Sequence, residues 1–207
     1  MKKYSSFFKS IAIVLILQAA IYFIIKIFQS NYNVITSILD FPFIKGFVYF
    51  YDSWYPFIVF NAFLIYYFDK DNYKSLIFTM IFGAFLAHIT FLIYPTMIDR
   101  PSIIVNNITD FILNFTYETD TPAVNCLPSV HCLFCFIMMY YTFISKKIKN
   151  SIKIPVISYL ILIVLSTLFI RQHIIEDAIL SLIYTIIVII NVYIFRDKLV
   201  KYLKFLF

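Results

Sequence analysis

The runs Asn125-Cys126-Leu127-Pro128-Ser129-Val130-His131 and Arg171-Gln172-His173-Ile174-Ile175-Glu176-Asp177 contain two of the chain's three histidines. Each run lies at the edge of a long apolar stretch, where an ionisable group is costly unless it is paired and normally has a function. His173 and Asp177 are four residues apart, so on a helix their side chains share one face within contact range. A carboxylate bonded to one ring nitrogen fixes the tautomer and leaves the other nitrogen free to attack or to accept a proton. Pro128 suits the first turn of a helix, which predicts Ser129 and His131 in the opening turn of the element that follows. Free backbone N–H groups and the positive end of the helix dipole would welcome an anion there. The Ser129 hydroxyl can donate to the same anion, and His131 stands beside it as a proton donor.

The elements that must position these groups are membrane helices. Of 207 residues 62% are hydrophobic and only 14% charged, and the mean hydropathy is +0.89, which excludes a soluble domain. Two glycines and 21% aromatic residues favour continuous helices over the short alternating strands of a membrane barrel. Spans of about 20 residues are predicted at Ile11–Phe28, Phe47–Phe68, Leu76–Tyr94, Pro128–Ile144, Ile154–Ile170 and Ile174–Phe195. The reading is an all-α polytopic membrane protein, six transmembrane helices in one bundle, with residues 1–207 as a single domain. The basic start (Lys2, Lys3, Lys9) precedes a first span with no small-x-small cleavage site, so it reads as an uncleaved anchor.

Thirteen of the seventeen Lys and Arg residues fall on one side: Lys2 to Lys9, Lys70 and Lys74, Lys146 to Lys153, and Arg196 to Lys204. The positive-inside rule makes that side cytoplasmic, with both termini inside. It also accounts for the net charge of +6 without a nucleic-acid partner. The interleaved basic and apolar tail from Arg196 to Phe207 is expected to rest on anionic lipid. Both histidine runs then face the extracytoplasmic side, together with a connection between Tyr94 and Pro128 whose length suggests function or disorder. Asn107-Ile108-Thr109 and Asn114-Phe115-Thr116 match the glycosylation pattern. The heavy use of Ile, Phe, Tyr, Lys and Asn implies a bacterial plasma membrane, where that pattern has no meaning.

Pro-Ser-x-His at Pro128 to His131, His-x-x-x-Asp at His173 to Asp177, and Arg100-Pro101 before them resemble the three-motif signature of the type 2 phosphatidic acid phosphatase superfamily, over residues 94 to 180. The resemblance implies that His173 forms a phosphohistidine, that Asp177 orients it, and that His131 protonates the leaving group. It implies phosphate contacts for Arg100 and Ser129 and requires no cofactor or metal. Two family cations are absent: Ile93 stands where the first motif has lysine, and Thr167 where the third has arginine. Arg171 can replace one of them. The run Ser166 to Asp177 resembles the branch containing inositol phosphorylceramide synthase and, more distantly, sphingomyelin synthase.

A close cation contributes about 4 kcal/mol before desolvation at an effective dielectric near 20, so losing cations disfavours a phosphomonoester dianion more than a phosphodiester. The expected function is a lipid phosphatase or phosphotransferase acting on a membrane lipid, with head-group transfer as an option. The alternative is a lipid-binding or transport protein that keeps the pocket without turnover.

Other residues have plainer readings. Cys132 and Cys135 form a C-x-x-C that on a helix places two small side chains on one apolar face, and no second pair completes a metal site. With Cys126 they are expected to pack. Tyr51, Asp52, Trp54 and Tyr55 read as an interfacial aromatic belt, with head-group contact by Asp52 or a tyrosine as the functional option. His88 reads as buried anchorage, and Gln18, Asn61 and Asn191 as interhelical hydrogen-bonders.

Overall fold

A computed structural model describes residues 4–202; Lys2, Lys3 and positions 203–207 of the basic tail lie outside the described residues. In chain order it contains α1 (Ser5–Phe28), α2 (Val48–Asp52), α3 (Trp54–Phe68), α4 (Lys70–Ile93), α5 (Ile108–Thr119), α6 (Val130–Ile144), α7 (Asn150–Phe169) and α8 (Ile175–Tyr202). Strands β1 (Asn33–Val34) and β2 (Thr96–Met97) form a short parallel ladder.

Helices dominate because a chain this apolar must satisfy its backbone within each segment when no water is present. Four segments are long and apolar enough to cross a membrane: α1, α4, α7 and Ile175–Arg196 of α8. Their outer faces stay apolar, with Ile16, Ile24 and Phe28 on α1 and Ile183, Ile187 and Ile190 on α8 exposed. This is the surface of an all-helical membrane protein.

Two of the six expected spans are shorter than predicted. Helices α3 and α6 have 15 residues each, about 22 Å at 1.5 Å per residue, against a hydrocarbon thickness of about 30 Å. The stretch Phe47–Phe68 is interrupted at Ser53. Pro56 offers no N–H to the Asp52 carbonyl, and the Ser53 hydroxyl donates to the Phe50 carbonyl at 2.7 Å. Helix α6 starts after Pro128, not with it: Ser129 is the N-cap, and its Oγ accepts from the Cys132 N–H at 3.2 Å. A serine cap satisfies an N–H that nothing else would reach, which outweighs the preference of proline for the first turn.

Helix α6 occupies the middle of the bundle, packing on α3, α4, α7 and α8. Leu133, Phe134, Ile137 and Met138 are fully buried there, with the free thiols Cys132 and Cys135 between them. Asn61 donates to Thr142 Oγ1 across α3 and α6 at 3.2 Å. Asn191, in contrast to the expectation, donates to Ile187 of its own helix at 2.8 Å and is exposed. Gln18 faces a cavity, and His88 is buried edge-on to Phe91.

The long connection is ordered around α5, capped by the Asn107 side chain, which accepts from the Asp110 N–H at 2.9 Å. Leu113 and Tyr117 bury against Val48, Tyr51 and Ile170, and the Tyr117 hydroxyl donates to the Ile170 carbonyl. Lys45 closes the contact on Asp110 at 2.7 Å and holds that carboxyl below the usual carboxylate range. A depressed acid stabilises above its unfolded value, near 3.9, and the contribution disappears as pH falls through the folded value. Hydrogen exchange should therefore show α5 loosening as pH drops below about 4, and this pH dependence should be lost in Asp110→Asn.

The start of α1, the start of α4 and the late part of α8 share one end of the bundle. Ser10 meets Tyr73 at 2.6 Å, Arg196 donates to Ser75 at 3.1 Å, and Lys147 pairs with Asp69 at 3.4 Å. The beginnings of α6 and α8, with the two histidines, lie at the other end.

Candidate active site

Two hydrogen bonds set the registry of α6 against α8. The Ser181 hydroxyl donates to the Ser129 carbonyl at 2.8 Å, and the Ser129 N–H donates to the Asp177 carbonyl at 3.4 Å. The first turn of α8 thereby faces the cap of α6. The chain enters α8 through Arg171, whose φ of 53° lies in the left-handed region. The N–H groups of Gln172 and His173 both donate to the Thr167 carbonyl at 3.0 Å. Thr167 therefore holds the histidine loop through its backbone, and its buried side chain contacts Cys132.

His173 Nδ1 lies 2.9 Å from Asp177 Oδ2, which also accepts the Ile174 N–H at 3.1 Å. Asp177 is fully buried. With two donors on the same oxygen, the carboxylate fixes Nδ1 as the protonated nitrogen and leaves Nε2 as the free lone pair. His131 lies 5.9 Å from His173, centroid to centroid. Its ring stacks on Tyr51 at 4.6 Å and leans on Trp54 at 4.3 Å, so its orientation is set by aromatic walls. Its Nε2 has no hydrogen-bond partner among the described residues.

Both rings line a cavity of about 570 Å³ walled by α1, α2, α3, α5 and the segment before α6. His173 also borders a smaller cavity of about 270 Å³ that contains Arg171. Cys126 faces the larger space, but burial above all, with Asp177 nearby, raises its thiol well above the ordinary value, so it is no nucleophile at neutral pH.

The remaining predicted residues take other places. Ser129 is fully buried, its oxygen engaged in the cap, and it does not border the cavity. Arg100 stands behind Asp120: its guanidinium donates to Asp120 Oδ2 at 2.7 Å and stacks 5.1 Å from the Tyr117 ring. Arg171 pairs with Asp40 at 2.7 Å. Ile93, at the position of a missing family cation, is 78% exposed and does not line the cavity that holds the histidines.

Asp120 is the main residue that sequence reasoning missed. It borders the cavity and takes Arg100, Lys26 at 3.2 Å and the Tyr22 hydroxyl at 2.9 Å. Lys26 was detectable as a lone cation in the first apolar run, which marks a functional position. Its partner, 94 residues away, was not. One carboxylate held by two cations leaves a positive surplus next to the histidines, and a phosphate entering the cavity competes with Asp120 for it. Asp120→Asn should bind vanadate at least ~tenfold tighter, about 1.4 kcal/mol, while lowering Tm because Lys26 and the largely buried Arg100 lose their shared carboxylate. Inhibition and melting curves on one preparation check both directions.

A family model for the PAP2 superfamily matches residues 72–201. The match runs from α4 to α8, including both histidines and Asp177, and stops short of α1, α2 and α3. No curated protein and no solved structure matches the chain.

Proposed function

The chain belongs to the PAP2 superfamily, and from that premise we propose that it is a membrane lipid phosphatase or phosphotransferase working through a phosphohistidine on His173. The observation that carries the reading is the pairing of His173 with buried Asp177 in a cavity shared with His131. His173 Nε2 attacks phosphorus, the bond to the leaving oxygen breaks, and His131 gives that oxygen a proton. Water or an alcohol then attacks the phosphohistidine and loses its proton to His131, and the N–P bond opens.

Arg100 and Lys26, released from Asp120, hold the phosphate oxygens, with Arg171 approaching from the smaller cavity. Ser129 acts by fixing the start of α6. With only part of this positive charge free at rest, a singly charged diester suits the site at least as well as a dianion, so transfer between lipids competes with hydrolysis. The basic end of the bundle lies opposite the histidines, which by the positive-inside rule supports an active site on the extracytoplasmic face. Helices α3 and α6 complete six crossings where the bilayer is locally thin.

A mixed-micelle assay tests the reading. Phosphatidate and a phosphodiester lipid are supplied with a diacylglycerol acceptor, and phosphate release and head-group transfer are followed together. Turnover of at least one substrate is expected; stable binding of both with turnover of neither would favour a lipid carrier.

A further inference from the structure

The large cavity is also lined by polar side chains whose hydrogen-bonding capacity is not met among the described residues, most of it acceptor capacity. Asn125 is 3% exposed, yet neither its Oδ1 nor its Nδ2 has a partner among the described residues. Its backbone is held at φ 56°: its N–H donates to the Thr96 carbonyl at 2.7 Å, and the next two N–H groups donate to Thr96 Oγ1 at 3.2 and 3.1 Å. A left-handed residue so firmly pinned, with an unpaired amide facing a cavity, is the kind of outlier that points to a ligand. Gln172 is 2% exposed. Its Nε2 donates to the Tyr51 hydroxyl at 3.3 Å, and its Oε1 is unpaired among the described residues. Asp52 borders the same space; its carboxylate accepts only the Thr116 hydroxyl, at 3.1 and 3.2 Å, and no cation pairs with it among the described residues.

A phosphate ester can satisfy the Asn125 Nδ2 donor but not the acceptors of this wall. Its ionised oxygens are acceptors that suit the Arg100 and Lys26 end, and they offer no proton to Asn125 Oδ1, Gln172 Oε1 or Asp52. We infer that the cavity contains a second subsite, formed by Asn125, Gln172 and Asp52, for a head group that donates hydrogen bonds: an ammonium or a hydroxyl carried on the phosphate. The inference rests on the proposed function only in taking the phosphate to sit near the histidines. Asp52 lies outside the region that the family model matches, whereas Asn125 and Gln172 lie within it.

The test reads binding, not turnover, in detergent on the full-length protein carrying His173→Asn, which offers no nitrogen to attack the probes. Calorimetry compares O-phosphoethanolamine and sn-glycerol 3-phosphate with ethyl phosphate, which has no donor on its alkyl arm. At least one of the first two should bind ten times tighter than ethyl phosphate. That advantage should fall below twofold in Asn125→Gly, which keeps the left-handed backbone comfortable, and in Gln172→Met. An advantage for the amine that Asp52→Asn removes identifies an ammonium, and one for glycerol phosphate that Asp52→Asn spares identifies hydroxyls. Equal binding of all three probes, or no binding by any, would overturn the subsite, as would an advantage that survives in both variants. A chain that discriminates among the probes but turns over no lipid keeps the subsite and loses the catalytic reading.

Discussion

Replacing His173 with alanine should lower turnover by about 10⁴-fold or more, the scale on which a missing nucleophile is felt when the rest of a catalytic unit remains. The side chain is 10% exposed and, among the described residues, its one polar contact is Asp177, so the loss is chemical and not a collapse of packing. Alanine does leave a buried carboxylate with only the Ile174 N–H, which costs stability. His173→Asn separates the two effects. Its amide nitrogen can donate to Asp177 in place of Nδ1, but it offers nothing where Nε2 would attack. The asparagine variant should melt close to wild type and turn over no faster than the alanine variant. Recovery of activity in His173→Asn would mean that His173 is a binding group.

His131→Asn should show a loss that depends on the leaving group. For an alkyl ester of a lipid alcohol, removing the proton donor should cost about 10²- to 10⁴-fold, the usual worth of a placed general acid. For an aryl phosphate such as a nitrophenyl ester, the leaving oxygen needs no proton and the first step should recover to within about tenfold of wild type on the same Brønsted argument. The second step still needs His131 to take a proton from water or alcohol, so the variant should release one equivalent of nitrophenol in a burst and then stall. Burst amplitude against enzyme concentration measures this directly. Because the ring sits between Tyr51 and Trp54, its removal also loosens the aromatic wall, which changes KM but produces no burst. An equal loss on both esters with no burst would reduce His131 to a shape-setting residue.

The pairing of His173 with Asp177 was legible in the sequence. His173 and Asp177 sit at helical spacing, and the structure joins them at 2.9 Å. The apolar runs became helices close to where hydropathy placed them. Proline, whose meaning depends on its position, accounts for two of the shifted boundaries: Pro56 breaks a long run into α2 and α3, and Pro128 precedes a serine cap. Helix α5 could have been found, since Asn107 offers a cap and Asp110, Leu113, Thr116 and Tyr117, its four buried residues, repeat at helical spacing.

What could not be read were partners far apart in the chain. Arg171 meets Asp40 across 131 positions and Lys26 meets Asp120 across 94. Arg100 was singled out as a bare phosphate ligand, although a carboxylate 20 residues on already holds it. Likewise nothing local announces that Asn125 and Gln172 lack partners; that is a property of the cavity they face.

The most direct test of the account is to catch the phosphorylated enzyme. Wild-type protein turning over a radiolabelled phosphate lipid would be quenched in base, under which a phosphoramidate survives, digested, and mapped by mass spectrometry. The account predicts phosphate on His173, labile to acid, accumulating in His131→Asn and absent from His173→Asn. Steady turnover with no labelled peptide at any quench time, or with label on another residue, would contradict it.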